Sequence, residues 1–288
     1  MSHTGRCPLD FEVWPEAIEL GRLFAEQGYE LALVGGPVRD LLLHRKSHDL
    51  DFCSSARPEQ FEPILRRWGH DGFWDMGRKF GTLGAMRRRA DGTEVKVEVT
   101  TYRSDTYDPD SRKPEVNYGD TLEGDLSRRD FTVNAMALRV PDLEFVDPFG
   151  GASDLAKGVL RTPVDPSQSF DDDPLRMMRA VRFVAQLGFS IAPDAAEAIS
   201  SMRDRIEIVS AERVRDELTK MLLSDRPRAG LEALVESGLA DIVFPEIPAL
   251  QLQIDEHHRH KDVFEHTMIV LERAIALETG PDGPRSEE

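Results

Sequence analysis

Cysteine is close to absent: Cys7 and Cys53 are the only two in 288 residues, and they form no Cys-x-x-Cys pair. This argues against a disulfide framework and a thiolate zinc site, and predicts two free thiols, with Cys53 packed in or beside a strand. Long apolar runs are missing as well. None reaches the roughly 18 residues that a membrane-spanning helix needs, and Met1 to Leu9 shows no signal-peptide pattern, so a cytoplasmic protein with no membrane partner is expected. Positive charge is scarce: 36 Lys and Arg stand against 53 Asp and Glu, a formal net charge of −17. So acidic a chain is not coated for sequence-independent nucleic-acid binding, and any RNA contact must be local. Candidate segments are Arg66-Arg67, Arg87-Arg88-Arg89, the arginines of 176–182 and those of 203–215. Solvated, salt-bridged helix faces account equally well for the first and last of these. The length predicts two domains, or one with an appendage.

Against this background Leu31 to Phe52, LALVGGPVRDLLLHRKSHDLDF, concentrates chemistry. A short apolar run ends at Gly35-Gly36, Pro37 occupies a first helical position, Val38 to Leu43 continues the helix, and Asp49-Leu50-Asp51-Phe52 begins the next strand. The glycines allow close backbone approach, and free amides at a helix start favour an anion. Asp49 and Asp51, at i and i+2 of a strand, share one face, while Leu50 and Phe52 share the other. Two adjacent carboxylates invite a hard cation, and Mg2+ keeps both ionised. Asp-x-Asp alone is a weak signal. With a glycine turn before it, it outlines a two-metal phosphoryl- or nucleotidyl-transfer site, with metals roughly 3.5–4 Å apart.

Elsewhere the periodicity predicts helices over 16–27 and 58–68, then strands over 79–86 and 94–102 around an Asp91-Gly92 turn. In the second strand Val95, Val97 and Val99 alternate with Glu94, Lys96 and Glu98. Glu98 can therefore lie beside Asp51 as a third carboxylate, or be a plain surface residue. Residues 103–123 read as a long polar loop, a candidate lid. In Arg128-Arg129-Asp130-Phe131-Thr132-Val133-Asn134-Ala135-Met136-Ala137, Asp130 and Asn134 are four apart and fall on one helical face. That cluster suits a triphosphate and a ribose hydroxyl, or equally a capped helix start. Leu143 to Val146 reads as a strand. After about Pro163 strand signals give way to helices: 171–187 closed by Gly188, 193–201, 211–223, 227–237 and 262–277. Asp173, Arg176, Arg179 and Arg182 form a polar stripe beside an apolar one; a solvated face explains it about as well as a ligand does. His257, His258, His260, Asp262 and His266 resemble a metal cluster only superficially, because no partnering Cys or His-Asp pair follows. The end, 280–284, reads as disordered.

Four ordered segments now resemble one family. They are Gly35-Gly36-Pro37-Val38-Arg39-Asp40 with Asp49-Leu50-Asp51; Arg128 to Ala137; Asp172-Asp173-Pro174-Leu175-Arg176 through Phe183; and Ala211-Glu212-Arg213-Val214-Arg215-Asp216-Glu217-Leu218. Together they look like the signature motifs of bacterial class II tRNA nucleotidyltransferases, the CCA-adding enzymes and the similar poly(A) polymerases, within the polymerase-beta-like superfamily. The likeness covers roughly residues 30–225.

The resemblance implies an α/β (α+β) nucleotidyltransferase head with a small mixed sheet over 1–165. An all-α neck over 166–250 and the start of a truncated helical body over 251–288 would follow. It implies an Mg2+-dependent enzyme that adds CCA to the tRNA 3' end from CTP and ATP. Asp49 and Asp51 would be metal ligands, with Glu98 the third catalytic carboxylate. Gly36 and Arg39 would meet the triphosphate, and Gly35, Asp130 and Asn134 would also serve the nucleotide. In the neck, Arg129, Asp173, Arg176, Arg179 and Arg182 would contact it, Asp173 accepting from the exocyclic amine of C or A and Arg176 donating to the ring. The family usually shows Glu-Asp where this chain has Asp172-Asp173. Its members are also longer, and of an HD-type module only His266 is present, so no HD activity and a shortened chain are expected. Poly(A) synthesis, partial CC or A addition, or nucleotide binding without turnover remain alternatives, and oligomeric state is left open.

Overall fold

The computed structural model of the chain describes residues 3–6, 14–45, 49–103, 121–252 and 263–278. Contacts divide it into two units, Met1–Lys157 with Arg161–Asp165, and Gly158–Leu160 with Pro166–Glu288.

The first unit contains β1 (His3–Arg6), α1 (Pro15–Ala25), β2 (Leu31–Val34), α2 (Gly36–Leu42), β3 (Asp49–Ser54), α3 (Pro58–Trp68) and β4 (Gly72–Trp74). It continues with β5 (Thr82–Arg88), β6 (Glu94–Thr101), α4 (Leu122–Ser127), β7 (Ala137–Val140), β8 (Glu144–Asp147) and α5 (Gly151–Lys157). Its strands form an eight-stranded sheet in the order β1-β8-β7-β2-β3-β6-β5-β4. The sheet is mixed because β3 and β6 run parallel while its other pairings are antiparallel.

Alternation decides which side of the sheet is dry. Leu50 and Phe52 of β3 and Val95, Val97 and Val99 of β6 are buried, as residues on one face of a pleated sheet should be. Helices α1 and α3 bring Ala17, Leu20, Phe24, Phe61, Leu65 and Trp68 into the same core, with the Phe24 and Phe61 ring centroids 6.0 Å apart. Each large side chain so buried contributes about 1.5–3 kcal/mol. The other face is covered only in part. Ala32, Val34 and Cys53 pack beneath Leu122 and Leu126 of α4 and beside Tyr102, and burial pushes the Cys53 thiol well up. Beyond this cover, Asp49 and Asp51 emerge at the exposed start of β3.

The second unit is helical: α6 (Pro166–Asp172), α7 (Leu175–Leu187), α8 (Pro193–Met202), α9 (Ala211–Leu222), α10 (Pro227–Glu236), α11 (Ala240–Val243), α12 (Glu246–Ala249) and α13 (Val263–Glu278). A two-residue parallel ladder, β9 (Val159–Leu160) with β10 (Ser190–Ile191), is its only sheet among the described residues. Helix α7 is the centre, with Met177, Met178, Ala180, Val181 and Ala185 buried. It packs on α9 and α10; a Cβ on Gly230 would lie 2.9 Å from that of Ala185, so glycine permits the close approach. On α13, Phe264 and Met268 are buried, and Arg228 of α10 meets Glu265 at 2.8 Å.

Two expected helices take another form. The run predicted over 171–187 is broken between α6 and α7, where Pro174 has no amide to donate and the Asp173 carboxylate accepts from the Leu175 amide at 3.2 Å instead. Residues 128–137 form no α-helix: Thr132–Asn134 is one 3-10 turn, and Ala137 enters β7 between β2 and β8. His257, His258, His260, Asp262 and nearly all of the predicted loop lie outside the described residues. His266 is exposed on α13.

Candidate active site on the sheet

The carboxylate face follows from register. Asp51 of β3 lies opposite Glu98 of β6, Asp49 opposite Lys96, and Glu98 in turn opposite Gly84 of β5. Gly84 faces Trp74 of β4. One transverse row thus reads Trp74, Gly84, Glu98, Asp51 across four neighbouring strands. A Cβ on Gly84 would fall 2.0 Å from the Trp74 ring, so only glycine lets the indole lie across β5. From there its Nε1 donates to Glu98 Oε1 at 3.2 Å.

Asp51 reaches solvent, but the surrounding protein limits its hydration. Its pKa is raised, first by that desolvation and then by the Glu98 and Asp49 charges, with Arg129 pulling the other way. Accumulated negative charge of this kind suits a divalent cation. Among the described residues no three carboxylate, histidine or cysteine side chains converge into a closed metal cage. Mg2+ does not require one, because it binds through one or two carboxylates, waters and substrate phosphates. The donor set therefore fits it.

Beside the carboxylates lies a cavity of about 370 Å³ whose wall includes Asp51, Glu98, Arg103, Asp125, Arg128 and Arg129. Arg129 is paired with Asp125 at 3.1 Å, while its Nε is buried without a hydrogen-bond partner. Gly35, at φ 73°, places its backbone where a Cβ would sit 2.9 Å from Arg129 Nη1. Next to it, Arg39 donates to Asn134 Oδ1 at 2.9 Å and to Asp40 at 2.9 Å, and Asn134 Nδ2 donates to Asp130 at 3.0 Å. Asp130 also accepts from the Phe131 amide at 2.8 Å. The structure thus links Arg39, Asn134 and Asp130 through a turn rather than a helical face, with Gly35 and Gly36 at the start of the helix that carries Arg39. Asp125, Arg103 and Trp74 are not singled out by the sequence. Asp125 falls on six-residue α4, in a stretch too polar to signal a helix, although Thr121 caps it at Gly124.

In the helical unit Arg176 is buried and donates to the Ser169 hydroxyl at 2.8 Å. Asp173 Oδ2 accepts from Arg213 at 3.2 Å. The Arg179 guanidinium lies 5.8 Å from the Phe183 ring centroid. Arg182 lies over the same ring at 4.1 Å and forms a buried ion pair with Glu217 of α9. As placed, Arg182 fastens α7 to α9.

A mixed sheet bearing paired carboxylates on the strand after a strand-glycine-helix turn is the head of a nucleotidyltransferase fold, and known proteins agree. Residues 31–161 match the poly A polymerase head domain, and residues 188–250 match the domain described as "Probable RNA and SrmB- binding site of polymerase A". The chain belongs to this family, that of the class II tRNA nucleotidyltransferases and poly(A) polymerases. The CCA-adding enzyme of Lactobacillus johnsonii is 37% identical over 233 residues, 81% of this chain and 56% of that one. The Bacillus stearothermophilus CCA-adding enzyme in complex with CTP is 36% identical with a TM-score of 0.68, over 79% of this chain and 53% of that one. The Thermotoga maritima enzyme complexed with tRNA is 27% identical with a TM-score of 0.71, over 94% and 60%. The chain thus spans little more than half the length of these relatives. No helix among the described residues is long and apolar enough to cross a membrane.

Proposed function

We propose that the chain is an Mg2+-dependent RNA nucleotidyltransferase that adds C and A to the 3' end of tRNA from CTP and ATP. The carrying observation is the register that sets Asp51 against Glu98, with Asp49 on the same face, beside an arginine-lined cavity. The likeness to CCA-adding enzymes seen with CTP and with tRNA supports the choice of substrates.

Asp49 and Asp51 would hold the metal, with Glu98 assisting. Bound there, Mg2+ would supply the positive charge that lowers the pKa of the attacking 3'-hydroxyl and stabilises the departing pyrophosphate. Arg103, Arg128 and Arg129 take the triphosphate in a site partly shielded from water, where preorganised charge acts most strongly. Gly35 and Gly36 let the backbone come close to it, and Arg39 and Asn134 form the adjoining wall with Asp130. Asp173 and Arg176 read the base as acceptor and donor; G and U present the opposite pattern and leave buried groups unpaired. Arg213 competes for the Asp173 carboxylate and must share it. Within the helical unit Arg179 belongs to the same nucleotide-reading stripe, and Arg182 serves it mainly by holding the helices together.

Asp125 positions Arg129. Its replacement in Asp125→Ala should raise KM for CTP by about ten- to a hundredfold, as loss of a charge-assisted bond of roughly 1.5–3 kcal/mol does, while leaving tRNA affinity unchanged. An unaltered KM for CTP would remove Asp125 from that role.

The function itself is tested by incorporation of labelled CTP and ATP into tRNAs ending before CCA, before CA and before A. Ordered addition that stops after the full CCA is expected. Continued addition of A alone would instead mark a poly(A) polymerase, the activity after which the matched head domain is described. Binding of CTP with no addition would reduce the chain to a nucleotide-binding unit.

A further inference from the structure

A second cavity, of about 320 Å³, opens on the other side of the carboxylate row and is lined by Asp49, Leu50, Asp51, Trp74, Lys96 and Glu98. It shares Asp51 and Glu98 with the arginine-lined cavity, yet differs from it in character. One offers several guanidinium groups; the other offers a single exposed ammonium and an indole.

Transfer of a nucleotidyl group requires electrophile and nucleophile to approach the same metal-binding carboxylates from two directions. The cavity rich in arginine matches a triphosphate. The remaining one matches a nucleotide unit with one phosphodiester and one base. Resting on the nucleotidyltransferase reading above, we propose that this second cavity receives the 3'-terminal nucleotide of the RNA, with its base stacked on Trp74 and its phosphate near Lys96.

The indole is suited to this because it is fixed before any ligand arrives. It lies across Gly84, where any larger residue would displace it, and it is held by its hydrogen bond to Glu98. It remains half-buried, so part of the ring surface still faces the cavity. Stacking on an aromatic ring also tolerates sequence, since every base has a π-face. The terminal base of a tRNA being extended differs between one addition and the next, so a hydrogen-bonding pocket there would reject some of the intermediates. The same indole links the RNA end to the chemistry: the N–H that orients it also orients Glu98.

The test compares the full chain with Trp74→Ala and Trp74→Phe, measuring kcat and KM for a tRNA lacking CCA and, separately, for CTP. Trp74→Ala should raise KM for the tRNA by about tenfold, the scale of losing one base-aromatic stack, and leave KM for CTP within about twofold. Trp74→Phe should restore most of the tRNA KM but keep a reduced kcat, since its ring has no N–H for Glu98. An unchanged tRNA KM in Trp74→Ala overturns the proposal. So does a shift in KM for CTP alone, which would assign the cavity to the incoming nucleotide. A direct measurement stands independently of turnover and of how Trp74→Ala folds. A short RNA ending in CC should quench tryptophan fluorescence in the wild type and not in Trp74→Phe, and equal quenching, or none, in both overturns the proposal. Absence of incorporation by the wild type would refute the enzymatic reading without deciding the binding site, which the quenching experiment decides.

Discussion

Asp49→Ala and Asp51→Ala should each lower nucleotide incorporation by about a thousandfold or more, the upper range for removing a single preorganised electrostatic group, with the fold intact. Both carboxylates reach solvent at the start of β3, while Leu50 and Phe52 carry that strand's packing on the opposite face. Asp51 is an electrostatic burden in the folded chain, because desolvation and Glu98 raise its pKa. A carboxylate with a raised folded-state pKa favours folding least when ionised, so its contribution to stability falls as pH rises through that pKa. Asp51→Asn should therefore melt no lower than the wild type at neutral pH and should lose part of the wild type's decline in stability just above the ordinary carboxylate range. Incorporation assays and thermal melts on the same preparations check both halves. Appreciable turnover in either alanine variant would remove that residue from the mechanism, and a lower melting temperature in Asp51→Asn would contradict the electrostatic account.

The second large effect is on stability. Glu217→Ala should destabilise the helical unit by about 3–5 kcal/mol, because it leaves the Arg182 charge buried without its main counter-charge. The side chains of this pair are 10% and 6% exposed and join α7 to α9. The double variant Arg182→Met with Glu217→Leu should recover most of that loss, since apolar groups of similar volume replace a buried pair at little cost. Urea denaturation monitored by circular dichroism reads both. If Glu217→Ala leaves the midpoint where it was, Arg182 is not a structural fastener, and its part at the nucleotide becomes the sufficient explanation for its presence.

How far the site was legible depended on sequence distance. The alternation Asp49-Leu50-Asp51-Phe52 and the valines of β6 each declared a strand and a polar face, and Glu98 could be placed beside Asp51 as a candidate. Pairing was another matter, since nothing in either strand specifies the register that aligns them. Ala135, Met136 and Ala137 read as helix because their intrinsic preference is helical; the chain instead leaves a 3-10 turn at Ala135, and pairing of Ala137 with β2 and β8 overrides that preference. Trp74 sits on a three-residue strand too short to show a period, and its contact with Glu98 spans 24 residues. The Arg182 and Glu217 pair spans 35. A stripe of arginines looks the same in sequence whether it faces a ligand or a neighbouring helix, and only the fold separates Arg182 from the rest. Glycine was more informative: Gly28, Gly35 and Gly188 all adopt positive φ, at the end of α1, the start of α2 and the end of α7.

The transverse row of Trp74, Gly84, Glu98 and Asp51 also fixes where the chemistry lies on the scale of local stability. Its carboxylates belong to β3 and β6, adjacent interior strands of the sheet, whose amide protons should exchange with solvent only through the largest opening events of such a domain. The reacting centre is thus not carried on a segment that can melt and re-form by itself. On the proposed reading the site survives or is lost together with the sheet, and any adjustment to successive RNA ends would come from side chains and substrates moving against a rigid floor.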